Sequence, residues 1–242
     1  MIPGLPQLKQ KLLDEIYPRS CCSCGKDIRE GDEHGLCWDC RADSVALGPP
    51  WCERCGQIVA GRIDHEFICS DCEENPPRYQ RGRSLYHYEG GVREAIHALK
   101  YHRDFSVIPD LSRLLLAGLK TYFPESEGLV LVAVPLHRSR QRKRGFNQDA
   151  ELIRGVRKLD PSLKTWAGLK RIKNTDTQTK LSKAARRENV RSAFAVKKNV
   201  KVPERILIID DVMTTGATLD ACARALKKAG GVEINTLTIA RG

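Results

Sequence analysis

An α/β protein is what the sequence predicts: helices on both faces of a mostly parallel sheet, preceded by a small module stapled by metal. Three observations predict it. Nine of the ten cysteines fall within residues 21–72, and eight of these form four CxxC pairs. Beyond residue 76, continuous apolar runs alternate with segments of helical periodicity, the pattern of buried parallel strands joined by crossover helices. The charge also changes sign, from 8 Lys/Arg against 14 Asp/Glu in residues 1–75 to 33 against 16 in residues 76–242. A basic C-terminal half points to polyanionic partners, either phosphate-rich small molecules or nucleic acid.

Taken in order, residues 1–20 are expected to form an amphipathic helix, with Leu5, Leu8, Leu12, Leu13 and Ile16 at helical spacing. Residues 21–75 form the cysteine module. A third region, 76–242, opens after Pro76-Pro77. It reads as strand 84–88, helix 92–102, helix 108–122, strand 129–134, helix 147–158, strand 205–209, helix 217–229 and strand 234–240. In such sheets ligands sit beyond the C-terminal ends of the strands. The longest purely apolar run, 129–134, is far short of the ~18 residues of a membrane span, and no charged segment followed by an apolar one opens the chain. The expected location is the cytoplasm.

The cysteines pair as Cys21/Cys24, Cys37/Cys40, Cys52/Cys55 and Cys69/Cys72, with 12 residues between the first and second pairs and 13 between the third and fourth. Two CxxC knuckles at that distance supply the four thiolates of a closed tetrahedral zinc site, and the pattern occurs twice. Two zinc sites are therefore expected. The spacing leaves open whether knuckles pair consecutively or interleave. Disulfides do not suit a reducing compartment, and iron–sulfur proteins use other spacings. Cys22 adjoins a ligand and is the less favoured alternative to Cys21; His34 and His65 are expected to be ordinary loop residues. A segment of this size buries too little apolar surface to fold alone, whereas structural zinc contributes on the order of 10–16 kcal/mol in finger peptides. Trp38 and Trp51 are expected to pack the ribbon core.

The sharpest motif is 206–218, Ile-Leu-Ile-Ile-Asp-Asp-Val-Met-Thr-Thr-Gly-Ala-Thr. Two acids end a buried strand, and a short Thr/Gly loop then opens a helix. Loop amides and a helix N-terminus can surround a phosphate, with threonine hydroxyls adding hydrogen bonds. Asp210 and Asp211 can accept from vicinal ribose hydroxyls or hold a metal ion. An ordinary helix cap explains a threonine but not two adjacent acids before it. The lysine of a P-loop is missing. The segment resembles the signature of type I phosphoribosyltransferases. That resemblance implies ribose contacts from Asp210 and Asp211, a 5-phosphate cradle of Thr214, Thr215, Gly216, Ala217 and Thr218, and Mg2+ accompanying phosphoribosyl pyrophosphate. Cys222 falls on the apolar face of the next helix and reads as core.

After strand 129–134, five bases (Arg138, Arg140, Arg142, Lys143 and Arg144) crowd what reads as one loop. Their mutual repulsion calls for an anion, and either pyrophosphate or a nucleic-acid backbone would serve. Pro135-Leu136-His137, Lys143-Arg144-Gly145-Phe146-Asn147-Gln148, Thr177-Gln178, Arg187-Glu188-Asn189-Val190 and the 210–218 signature run in the order of the ComF family. The chain resembles that family over nearly its whole length, double zinc ribbon included. The resemblance implies a phosphoribosyltransferase-like fold and a role in handling single-stranded DNA during bacterial competence. It also implies a competence helicase-like ATPase and a recombination mediator as partners. His137 and Arg138 would contact pyrophosphate; Arg140, Arg142, Lys143 and Arg144 are candidates for nucleic acid. Residues 171–191, with Arg171, Thr177, Gln178, Arg187 and Asn189, would form a hood over the ligand. Two alternatives remain at this point, a non-catalytic DNA-binding or ligand-sensing adaptor and a nucleotide-salvage pentosyltransferase.

Overall fold

A computed structural model describes residues 19–28, 35–125, 127–175 and 189–242. The helix expected at the N-terminus, and Thr177, Gln178, Arg187 and His34, lie outside them. The main sheet has five parallel strands in the order β1-β7-β6-β2-β3, where β1 is Gly82–His87, β2 Val130–Ala133, β3 Lys164–Thr165, β6 Arg205–Met213 and β7 Glu233–Arg241. A separate antiparallel pair joins β4 (Leu169–Arg171) to β5 (Phe194–Val196).

Alternation along the central strands divides the core. Leu207 and Ile209 of β6 and Leu131 of β2 face one apolar cluster, whereas Ile206, Ile208 and Val132 face another. The first cluster is closed by α3 (Gly90–His97), α4 (Ile108–Tyr122) and α6 (Gln148–Leu159) through Ile96, Leu111, Leu115 and Leu152. The second is closed by α7 (Ala217–Lys228) through Leu219, Cys222 and Leu226. Cys222 is core, as expected.

Two helical details differ from the sequence reading. The helix expected over 92–102 ends at His97 and continues as a π-turn, Ala98–His102, stopped by Arg103 at φ 56°. The basic segment is a helix, α5 (Arg138–Arg144), rather than a loop. His137 caps its start through Nδ1, which accepts from the Ser139 N–H at 3.3 Å, and Gly145 ends it at φ 90°. Its three bases in the last turn complement the helix dipole, which offsets part of their repulsion.

Each ribbon is built the same way. A knuckle Cys-x-x-Cys-Gly turns through a glycine at positive φ, Gly25 at 73° and Gly56 at 69°. A short helix then carries the second pair, α1 (Trp38–Ala42) after Cys37 and α2 (Ser70–Glu74) after Cys69. At Gly56 a Cβ would lie 2.6 Å from the Gly82 carbonyl oxygen, so the knuckle needs glycine both for its turn and for its approach to β1. Trp51 is half-buried, edge-on to Tyr122 with ring centroids 5.6 Å apart. Trp38 departs from expectation. It is 75% exposed on a five-residue helix with no buried side chain, too short to turn a full face inward.

Candidate ligand cleft and metal centres

The eight knuckle cysteines gather as Cys21, Cys24, Cys37, Cys40 and as Cys52, Cys55, Cys69, Cys72, each set with its sulfurs within 4.8 Å of one another. Pairing is therefore consecutive. Tetrahedral zinc with bonds of about 2.3 Å sets its sulfurs about 3.8 Å apart. Cys24 and Cys37 stand at 3.7 Å, and Cys55 and Cys69 at 3.8 Å. In each set one thiolate already accepts a backbone amide, Cys21 from Cys37 N–H at 3.3 Å and Cys52 from Cys69 N–H at 3.4 Å. Burial raises both thiols, yet such amides bring Cys21 to about 6 and Cys52 to about 7. Cys22 stands outside the set, pushed up to about 12 by burial. The donors fit two structural zinc sites.

At the C-terminal ends of β2 and β6 lies a cleft of about 530 Å3. Asp210, Asp211, Thr218, Arg140, Lys143 and Arg144 all line it, brought together from segments some seventy residues apart in sequence. Thr214, Thr215, Gly216 and Ala217 line an adjoining cavity of about 730 Å3, whose far wall is the second ribbon and the segment 74–79. Gly216 has φ 72°, and a Cβ there would meet Met213 Cε at 2.8 Å and Tyr79 Oη at 3.3 Å, so the loop requires glycine. The Ala217 N–H donates to Thr215 Oγ1 at 3.4 Å, while the following α7 amides carry the positive end of its dipole. His137 and Arg138 line neither cavity: His137 serves α5 as its cap and Arg138 is exposed. Arg142 is exposed and also outside both. Of the hood residues, Arg171 lines the cleft, with its guanidinium over the Phe194 ring at 5.4 Å and bonded to the Thr175 hydroxyl.

Two residues of the cleft were not singled out from the sequence. Lys100, on the π-turn, places its ammonium 2.7 Å from Asp211 Oδ1, both side chains nearly buried. Asp149, the second residue of α6, is 1% exposed and lies with Asp210 and Asp211 in one carboxylate group whose oxygens are within 4.8 Å. The Arg-Gly-Phe-Asn-Gln motif is what holds it there. Asn147 Nδ2 donates to the Val134 carbonyl at the end of β2 at 3.0 Å, Asn147 Oδ1 accepts from the Asp149 N–H at 3.1 Å, and Arg144 bonds Gln148.

The electrostatics follow from this crowding. Burial, reinforced by the charge of Asp211 and offset in part by Lys100, raises Asp210 to about 7. Burial and the charges of Asp211 and Asp210 hold Asp149 well above the usual carboxylate range, with Lys100 and Arg144 opposing in part. Burial opposes the charge on Lys100, but Asp211, helped by Asp210 and Asp149, keeps it above its ordinary value. Two buried oxygens, Asp149 Oδ1 and Asp211 Oδ2, have no hydrogen-bond partner among the described residues. Hard carboxylate oxygens with unsatisfied lone pairs suit Mg2+, so the residues present fit the ion that the phosphoribosyltransferase resemblance implies.

Comparison with known proteins agrees with this geometry. The family model for the double zinc ribbon domain matches residues 12–73, and that for the phosphoribosyl transferase domain matches residues 167–242. Competence protein F of Haemophilus influenzae is 31% identical over 237 residues, covering 91% of this chain and 96% of the relative. The chain belongs to the ComF family. The ComF relatives include DNA utilization protein YhgH of Escherichia coli K12, 31% identical over 224 residues with 86% and 97% covered. Competence protein ComFC of Streptococcus pneumoniae is 25% identical over 236 residues with 91% and 99% covered. Among the described residues of this ComF protein, no helix is long and apolar enough to cross a membrane.

Proposed function

We propose that the cleft binds phosphoribosyl pyrophosphate with Mg2+, and that the protein acts in the cytoplasm on DNA taken up in natural competence. One observation carries the ligand reading. Asp210 and Asp211, near the C-terminal end of β6, floor a cleft ringed by Lys100, Arg140, Lys143, Arg144 and Arg171, and the glycine-dependent turn 214–216 leads from β6 into α7. Carboxylates accept from sugar hydroxyls, a phosphate is met by the loop amides and threonine hydroxyls, and the bases offset pyrophosphate charge. Bound Mg2+ supplies further neutralisation of the pyrophosphate. Were an acceptor to attack C1, pyrophosphate would leave, and the chain's contribution would be positioning and charge stabilisation rather than a covalent nucleophile. The nearby thiol, Cys222, is fully buried. Calorimetric titration with phosphoribosyl pyrophosphate and Mg2+ tests this reading. Micromolar binding that Asp210→Asn with Asp211→Asn abolishes is expected; an unchanged affinity in the double variant removes the assignment.

A second reading, a DNA-binding adaptor, is favoured by the surface beside the cleft. Tyr101 is 63% and Phe105 46% exposed, Phe105 packs against Phe146 with ring centroids 4.9 Å apart and planes tilted by 55°, and Arg144 lies over Tyr101 at 5.9 Å. Exposed aromatics interleaved with bases suit a single strand. Affinity for an oligonucleotide is expected to fall with salt at a log–log slope of about −0.7 per phosphate contacted. Replacing Arg142, Lys143 and Arg144 with Ala should flatten that slope. The two readings are compatible on one molecule. A competence helicase-like ATPase and a recombination mediator as partners rest on the family relationship.

A further inference from the structure

The carboxylate group deepens the ligand reading in one respect. Asp149 reaches it from α6, Asp210 and Asp211 from β6, and all three oxygens lie within 4.8 Å, with Asp149 and Asp211 buried and Asp210 half-buried. Lys100 pairs with Asp211 at 2.7 Å, while Arg144 and Arg171 offset part of the charge on Asp149 and Asp210. Asp149 has one oxygen engaged, Oδ2 accepting from Gln148 Nε2 at 3.3 Å, and the other, Oδ1, buried and unpartnered. Asp211 repeats the arrangement, with Oδ1 on Lys100 and Oδ2 buried and unpartnered. An unsatisfied buried acceptor costs roughly 1–3 kcal/mol, and more when charged. Two such acceptors within one group of three carboxylates favour a cation with more than one charge.

Size agrees. Octahedral Mg2+ with bonds of about 2.1 Å sets adjacent ligands about 3.0 Å and opposite ligands about 4.2 Å apart, and three oxygens within 4.8 Å of one another reach that geometry by side-chain adjustment alone. Asp149 is also unusually well placed to be a fixed ligand, because Asn147 ties its amide to the end of β2 and Gln148 orients its carboxylate. Lys100 is the opposite case: it stands on a π-turn, a local widening of the helix that frequently marks functional positions.

We infer that Asp149, Asp210 and Asp211 form a divalent-cation site held by the protein alone, filled before any phosphorylated ligand enters, with the Lys100 ammonium standing in when the ion is absent. This rests on the ligand reading only for what enters the cleft next. It has three side chains hold the ion before pyrophosphate meets it.

Mn2+ is the probe, titrated alone into zinc-loaded, full-length protein and followed by the loss of its free-ion paramagnetic resonance signal. About one Mn2+ per chain is expected to bind without any phosphoribosyl compound. Asp149→Asn, which keeps side-chain shape, is expected to weaken it tenfold or more while thermal unfolding stays cooperative. Lys100→Met, which removes the competing ammonium, is expected to tighten it several-fold. Wild-type protein that takes up Mn2+ only after phosphoribosyl pyrophosphate is added overturns the site and leaves the ligand reading intact. An Asp149→Asn protein with wild-type Mn2+ affinity does the same. Mn2+ binding that Asp149→Asn abolishes, alongside no binding of phosphoribosyl pyrophosphate, keeps the site and overturns the ligand reading. A Lys100→Met protein with no gain in affinity removes the stand-in role.

Discussion

The two zinc ribbons share a ligand pattern, a knuckle glycine and a short second helix, yet they sit in different places. The first docks through Asp110 at the start of α4. That carboxylate is buried and accepts from the Gly35 and Leu36 amides at 2.8 and 3.2 Å and from Arg41 at 3.4 Å. Its Cys21 and Leu36 join the apolar cluster on the α3/α4 face, and none of its described residues lines the cavity of the ligand loop. The second ribbon docks on β1 and β7. Arg83 donates to Glu53, and Arg241 donates to the Cys55 carbonyl and to Gln57 Oε1, each at 2.8 Å. Its Cys52, Cys55 and Cys72 join the cluster under α7, and it walls the cavity lined by loop residues 214–217. Identical metal chemistry thus has two consequences. One ribbon completes a core; the other also backs the loop that is proposed to hold a phosphate.

The largest effect that separates them comes from removing one ion. Cys21→Ser with Cys37→Ser, and Cys52→Ser with Cys69→Ser, are each expected to lower bound zinc from two to one by metal analysis. Each forfeits stabilisation drawn from a metal-binding energy on the order of 10 kcal/mol. Only the second pair is expected to weaken phosphoribosyl pyrophosphate, by tenfold or more in calorimetry. Equal losses from both pairs would erase the distinction. Next comes Asp110→Asn, which deprives two amides and Arg41 of a charged acceptor. It should cost about 2–3 kcal/mol in urea unfolding with ligand affinity unchanged in the folded protein.

A smaller effect is set by pH. Without the ion, Asp210 is raised to about 7 by burial and by Asp211, so its proton must leave before it can hold the cation or accept from sugar hydroxyls as a carboxylate. Affinity for phosphoribosyl pyrophosphate is therefore expected to increase as pH rises through about 7, by roughly tenfold between pH 6 and 8, which corresponds to about 1.4 kcal/mol. The same raised value means that the folded state holds more protons than the unfolded one between about pH 4 and 7, so this group's contribution to stability declines across that range. A flat affinity profile would show that Asp210 does not carry the contact. The smallest effect is that of Arg241→Met, about 1 kcal/mol for its lost bonds to the second ribbon, measured by urea unfolding beside Arg41→Met in the first.

What the sequence made legible was local. The CxxC spacing located all eight knuckle ligands, and the Asp-Asp followed by Thr-Thr-Gly-Ala-Thr located the connection from β6 into α7. The limits of β6 and β7 were set short by a few residues, since strand ends carry little periodic signal. Lys100 and Asp149 were illegible for a physical reason. An acid in the first turn of a helix is ordinary on dipole grounds, and a lysine in an amphipathic helix is ordinary on solubility grounds. Only the register of parallel strands and a π-turn bring them to the same acidic group. The basic segment, read as a loop whose five like charges call for an anion, is a capped helix that spreads them, with Arg140, Lys143 and Arg144 at the cleft and Arg138 and Arg142 outside it.

A crystal structure with phosphoribosyl pyrophosphate and Mg2+ tests the central claim most directly. The account predicts ribose hydroxyls on Asp210 and Asp211, the 5-phosphate within hydrogen-bond reach of the 214–218 amides, and pyrophosphate facing Arg140, Arg144 and Arg171. A ligand seated elsewhere, or a cleft still closed by Lys100 with those carboxylates untouched at saturating concentration, would contradict it.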